Sequence, residues 1–382
     1  MHRFFDPPIR PAMSCTPHPP PKGTELSKLR VGVIGLGEVA QVIHLPIIGS
    51  LPDRYELAAI CDISPGLLNR LGDRYRVQHR YSDFREMLAA GGLDCVVVLN
   101  SDEYHADCTV AALDAGLDVL VEKPMCLSPR EAQEIIGARD RSGKTVMVAY
   151  MRRFAPAFTE AVERLPQLGP IRYARVHDVI GENRLIVDQT SYVDRPDDVP
   201  QKAIDEKWAR RSALVKEALG DVPQELEWTY GLLCGLGSHD LSAMRELLGR
   251  PKEVSAAKMW RSGGYVVALL DYGDFVVTYE TGVDDQLRYD TYIEVYGASG
   301  TMKVQYDTPY VRHFPTTLHL ELTDGDSYER SVRRPHLKDP YTYELEHFHE
   351  AVTTGATPKT TPEDYLHDME LFVDIIRALD KG

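Results

Sequence analysis

The chain predicts an α/β protein: an N-terminal doubly wound parallel sheet, then an α+β domain on a large, mainly antiparallel open sheet. Three observations carry this. Between Arg30 and Tyr150, short apolar runs alternate with helical stretches. The first of these runs enters a Gly-x-Gly-x-x-Ala turn. After Tyr150, strand-like runs follow one another with few helices between them. A length of 382 residues accommodates two such domains.

Residues 1–29 hold Pro-Pro-Ile-Arg-Pro and Pro-His-Pro-Pro-Pro, which support neither helix nor ladder, so they read as a disordered Pro-rich tail. Residues 30–150 form the first domain and 151–382 the second, whose C-terminal helix is free to pack back on the first. The first domain's strand runs are Leu29–Ile34, Tyr55–Cys61, Asp94–Leu99, Asp118–Glu122 and Thr145–Tyr150. Most are short and dense in Val, Ile, Leu or Cys, as strands covered on both faces should be. His105 to Ala115 has helical spacing and stops at Gly116. Ser128-Pro129-Arg130-Glu131 opens another helix with a Ser cap, Pro in the first turn and Glu three places on. In the second domain a helix over Pro156–Leu165 precedes strands at Ile171–Val179, Glu253–Trp260, Tyr265–Tyr272, Asp274–Glu280 and Tyr289–Tyr296. Helices close the chain at Pro340–Thr353 and Pro362–Ala378. An open sheet face calls for a cover, so a homodimer or homotetramer is expected.

Val31 to Ala40 is the most informative segment. Gly35 permits a sharp turn, Gly37 lets a diphosphate approach bare main chain, and Ala40 allows close helix packing. The first amides of the following helix face the phosphates. This is the fingerprint of a Rossmann dinucleotide-binding domain. Asp62 ends the second strand, where a ribose 2′-hydroxyl is held, and its charge repels a 2′-phosphate. The expected cofactor is therefore NAD rather than NADP. Asp62 also suits a turn before Ser64-Pro65. Glu38 is a discordant carboxylate beside a phosphate site and must point away or be screened.

A net charge of −15 argues against nucleic acid and anionic membranes as partners. No apolar run nears the roughly 18 residues of a membrane span. The tail lacks the apolar stretch of a secretory signal. The six cysteines form no Cys-x-x-Cys pair, and a reducing cytoplasm is the expected location. His347 and His349 point to different sides of a helix, and no metal site is expected.

Two further motifs carry chemistry. Glu122-Lys123-Pro124 ends a parallel strand, on the side of the sheet where ligands bind. The Lys123 ammonium suits stabilisation of a developing alkoxide, and a surface pair with Glu122 is the bland alternative. Gly-Ser-His-Asp-Leu, Gly237 to Leu241, puts His239 at a helix start, suited to proton transfer or to simple capping. The segment Gly181 to Trp228 is polar and acidic and holds Trp208 and Trp228, with Tyr230 just beyond. It reads as a cap over the site, with aromatics for stacking on sugar rings or for local packing.

In this order and spacing the motifs resemble the Gfo/Idh/MocA family (glucose–fructose oxidoreductase, inositol dehydrogenase and relatives), from Leu29 to the C-terminus. Further matches are His44-Leu45-Pro46 and Arg153-Phe154. The resemblance implies a Rossmann domain, an α/β substrate domain, dimers or tetramers, and NAD(P)-dependent hydride transfer at a carbon of a sugar, glycoside or cyclitol. It makes Lys123 and His239 the catalytic pair. The residues expected at the cofactor are Gly35, Gly37, Glu38, Val39, Asp62, Ile63, Asn100, His105, Glu122 and Lys123. Those expected at the substrate are Lys123, Arg153, Tyr230 and His239.

The chain departs from the family at three places. The Asp that usually stands four residues before the His is Gly235, and usual Asn positions hold Asp102 and Met151. His239 must then be oriented by another group, with Tyr192 or Tyr230 as alternative proton carriers. Two other activities fit the same motifs: a glycosidase that oxidises transiently and eliminates, using retained NAD, and a nucleotide- or sugar-sensing protein without catalysis.

Overall fold

The computed structural model describes residues 27–314 and 316–381, so most of the expected tail lies outside the described residues. Six strands form the first sheet: β1 (Leu29–Ile34), β2 (Tyr55–Cys61), β3 (His79–Tyr81), β4 (Cys95–Val98), β5 (Asp118–Glu122) and β6 (Val146–Ala149). Their order is β3-β2-β1-β4-β5-β6, all parallel. β4 reads Cys-Val-Val-Val and is wholly buried, as a central strand covered on both faces must be. β3, too short and polar to stand out by pattern, was not expected.

The crossover helices begin and end on local signals. Ser64 caps helix Pro65–Arg74, accepting from the Leu67 amide at 3.1 Å. Ser128 does the same for helix Pro129–Ser142, and Gly143 ends it in a left-handed conformation. Helix Pro362–Asp380 belongs to the C-terminal region yet reaches the first sheet's elements: the Tyr365 hydroxyl donates to the Cys126 carbonyl at 2.5 Å, and Asp368 accepts from the Tyr150 hydroxyl at 2.7 Å.

The second sheet has eight strands: β7 (Ile171–Gly181), β8 (Glu253–Trp260), β9 (Tyr265–Asp271), β10 (Val276–Asp284), β11 (Tyr289–Gly297), β12 (Gly300–Tyr306), β13 (Thr317–Asp324) and β14 (Ser327–Arg333). Their order is β14-β13-β12-β11-β7-β10-β9-β8. Only β7 and β10 pair in parallel. β12 to β14 extend the expected sheet by three strands. β14 is an exposed, charged edge strand, and its Ser-Tyr-Glu-Arg-Ser-Val carries no apolar alternation to announce it.

Alternation assigns the two faces of this sheet. Ala174, Val176, Tyr279, Ile293, Val295, Met302 and Val304 point inward, into a core shared with Phe158, Leu241, Met244, Phe372 and Ile376 of three helices. The other face carries stacked rings, His177 on Tyr292 and Trp260 on Tyr265, with centroids 5.0 and 5.5 Å apart. Among the described residues, no helix is long and apolar enough to cross a membrane.

Candidate active site

The turn after β1 has the geometry its glycines require. Gly35 has φ +95°, and a Cβ there would stand 2.4 Å from the Asn100 amide nitrogen. Gly37 differs: a Cβ there would meet nothing within 4 Å. The space above its backbone is open on the side where a diphosphate would lie. A helix starts at Glu38, with one π-type turn over Ala40–His44. Glu38 is screened as its position demands, by an ion pair with Arg195 at 2.7 Å. Asp62 accepts from the Leu36 amide at 2.7 Å and the Ser64 amide at 2.8 Å, so it buttresses both the glycine turn and the next helix. Burial pushes its carboxyl above the usual range, against these two hydrogen bonds.

Between the carboxyl ends of the first sheet and the inner face of the second lies a cleft of about 310 Å³. The end of β5 delivers Glu122 to it and the next residue is Lys123, whose peptide bond to Pro124 is cis. The helix Ser238–Leu248 delivers His239, so the two motif residues share one cavity despite their separation in sequence. The Lys123 ammonium donates to the Gly235 carbonyl at 2.6 Å. That carbonyl belongs to a π-type turn over Leu233–Gly237. His44 holds Glu122 from behind at 2.8 Å. Burial alone would raise the Glu122 carboxyl, but the His44 bond and the neighbouring charges hold it below the usual range. Asn100 and His105 also line the cleft, and His105 bonds the Pro124 and Asn100 carbonyls at 2.7 and 2.9 Å. Among the described residues the buried Asn100 Oδ1, beside the glycine turn, has no partner. An Asn100 acceptor without a partner among the described residues and the Lys123 side chain in one cleft, with the open Gly37 in the turn just before the cleft-lining Val39, fit a dinucleotide.

Desolvation in the cleft, then the charges of Lys123 and Arg152, push the His239 imidazole well below its usual range. It is thus neutral at neutral pH and able to accept a proton. Its Nδ1 is buried with no partner among the described residues. At Gly235, where the family's carboxylate is missing, a Cβ would find nothing within 4 Å. The Asp102 departure has a local reason, an ion pair with Arg211 at 3.2 Å. Met151 is packed in the core of the first domain.

Several expected residues lie elsewhere. Arg153 does not line the cleft; its buried guanidinium pairs with Asp364 and, at 2.5 Å, with Glu246. Tyr230 is fully buried, and its hydroxyl donates to the Leu127 carbonyl at 3.0 Å, which makes it a packing residue. Tyr192 is exposed and bonds Asp194, outside the cleft. The exposed Trp208 and Trp228 do not line it either. Ile63 is exposed next to Asp62.

In their place stand residues that pattern alone did not single out. Arg152 lines the cleft, fully buried, and binds Asp178 at 3.0 Å, Asp240 and the Tyr289 hydroxyl at 2.7 Å. Burial and the nearby Asp178 push the Asp240 carboxyl well up, although Arg152 opposes this. Tyr289, Tyr310 and Tyr341 add hydroxyls, and Asn183 adds a buried Oδ1 with no partner among the described residues. The adjacency of Arg152 to the Arg153-Phe154 pair was the one signal available for it.

Comparison with known proteins bears on the two domains and their fold. Residues 29–150 match the model of the Gfo/Idh/MocA oxidoreductase family, NAD-binding Rossmann fold, and residues 223–382 match its C-terminal alpha/beta domain. Inositol 2-dehydrogenase of Salmonella typhimurium is 30% identical over 134 residues, 35% of this chain and 40% of that enzyme's length. D-xylose 1-dehydrogenase (NADP(+)) 2 of Haloferax volcanii is 24% identical over 372 residues, covering 92% of this chain and 97% of that one. The fold is shared with aldose-aldose oxidoreductase of Caulobacter crescentus, at a TM-score of 0.71, 21% identity, and coverage of 93% and 98%.

Proposed function

The chain belongs to the Gfo/Idh/MocA oxidoreductase family, and from that premise we propose that it is an NAD-dependent dehydrogenase. It would interconvert a secondary hydroxyl and a ketone on a sugar, glycoside or cyclitol. The observation that carries this reading is the meeting of Lys123 with a neutral His239 in one polar cleft. When bound, the dinucleotide supplies the hydride acceptor or donor. The glycine turn, Asn100, His105 and Glu122 would hold it, with Asp62 toward its adenosine ribose. The preference for NAD rests on that carboxylate; one relative is named for NADP.

The protein's own groups then have distinct tasks. Lys123, released from the Gly235 carbonyl, binds the reacting oxygen and stabilises its developing negative charge. His239 takes the hydroxyl proton in oxidation and returns it in reduction. Arg152, Tyr289, Asn183 and the Gly235 carbonyl are placed to orient the remaining hydroxyls. The stacked outer face of the second sheet supports pairing with another copy.

The test is turnover of a cyclitol and aldose panel with NAD by wild type and Lys123→Ala. Loss of one such charge stabiliser costs about 10²–10³ in kcat. A variant with near wild-type turnover on a confirmed substrate would overturn the scheme.

A further inference from the structure

We propose that Asp198 is a specificity determinant for the nucleotide, a carboxylate stationed where a 2′-phosphate on the adenosine ribose would need its donors. This rests on the dinucleotide reading above and adds a second residue to Asp62.

The segment 191–200 follows β7 and the helix Asn183–Thr190 and lies against the first domain. It is anchored at several points. Asp194 is buried and accepts from Arg70 at 3.2 Å and Arg74 at 2.6 Å. Gln41, in the helix after the glycine turn, bonds both the amide and the carbonyl of Asp194, at 2.8 and 3.0 Å. Arg195 spans Glu38 and Asp188. Farther on, the Gly66 amide donates to Asp198 Oδ2 at 2.7 Å, and the Ser64 hydroxyl donates to its Oδ1 at 2.5 Å. Gly66 is needed there, because a Cβ would stand 2.8 Å from Asp198 Oδ2 and 2.9 Å from Pro196 Cβ.

These contacts define what the site accepts. Ser64 directly follows the Asp62-Ile63 pair at the end of β2, so Asp62 and Asp198 flank it from two sides. A ribose hydroxyl can donate to a carboxylate there. A phosphate would need the Ser64 hydroxyl and the first amides of helix Pro65–Arg74, and it would bring about two negative charges. Asp198 already takes the Ser64 hydroxyl and the Gly66 amide, and the Leu67 amide donates to Ser64 Oγ. The helix's own cations, Arg70 and Arg74, both pair with Asp194. The Ser64 and Gly66 bonds hold the Asp198 carboxyl below its usual range, so it stays ionised at neutral pH. The choice between the two dinucleotides is therefore made by a segment far from the fingerprint in sequence.

The experiment uses the full chain, stripped of nucleotide, titrated with NADH and with NADPH by fluorescence. Wild type is expected to bind NADH about 100-fold more tightly, a ratio that like-charge juxtaposition readily supplies. In Asp198→Ala that ratio falls about tenfold or more. Asp198→Asn keeps an acceptor to seat the segment but removes the charge, and it should move the ratio the same way. Thermal melts establish that both variants are folded. If Asp198 only anchors the segment, both affinities fall together and the ratio holds, which overturns the proposal. Equal binding of NADH and NADPH by wild type overturns it too. Failure of wild type to bind either nucleotide is a separate result, and it removes the dinucleotide reading itself.

Discussion

The buried cation at the back of the cleft offers the sharpest test of how the site is held. Arg152 is 1% exposed, and Asp178 and Asp240 are both 0% exposed. Its guanidinium binds both carboxylates and the Tyr289 hydroxyl. Arg152→Met keeps most of the apolar stem but strands two carboxyl groups in the core. One has a partner left, since Asp178 still accepts from the Thr291 hydroxyl at 2.6 Å. Asp240 Oδ2 has none among the described residues. Breaking a buried pair from one side costs about 3–5 kcal/mol, because an unpaired charge remains. The loss is read from the urea midpoint at neutral pH, with the denaturant slope unchanged. Lys202→Ala is the control: its pair with Glu206 is largely exposed and should give less than about 1 kcal/mol. Adding Asp240→Asn to Arg152→Met should recover part of the loss, since it replaces one of the two facing carboxyl groups with an amide that can donate to Asp178. A loss for Arg152→Met no larger than the control would refute the reasoning, because the cluster would then be behaving as if it were in water.

The pH profile follows from the same electrostatics. A base held neutral stays active as pH falls, so kcat should show no inflection at the ordinary imidazole value and should fall only at more acidic pH. Gly235→Asp has open space for its side chain and puts a carboxylate beside Lys123, so it should move that inflection up toward neutrality. An unshifted profile would count against His239 as the titrating group. The two turn glycines should separate cleanly. Gly37→Val leaves the melting temperature nearly unchanged but weakens NADH binding about tenfold or more, as fluorescence titration would show, because it fills only the ligand's space. Gly35→Ala forces a Cβ against the Asn100 backbone at positive φ and should lower stability by more than about 1 kcal/mol in a thermal melt.

Local chemistry alone determined much of this molecule. The parallel sheet was legible because apolar runs, caps and glycine turns act within a few residues, as Ser64, Ser128 and Gly143 do. Lys123 and His239 were legible as motifs for a related reason: the end of a parallel strand and the start of a helix are themselves local features. Tertiary structure decided which neighbours those motifs meet. Arg152 and Arg153 are adjacent and chemically identical, yet a single short turn sends one into the cleft and the other to Glu246 and Asp364. Tyr230 is inward and Tyr192 outward only because of what packs on each. The edge strand β14 exists through its pairing with β13, not through its own pattern. Asp198 reaches Ser64 across more than a hundred intervening residues. Spacing along a chain carries no record of such contacts, because the loop that closes them costs little more entropy at that length than at half of it.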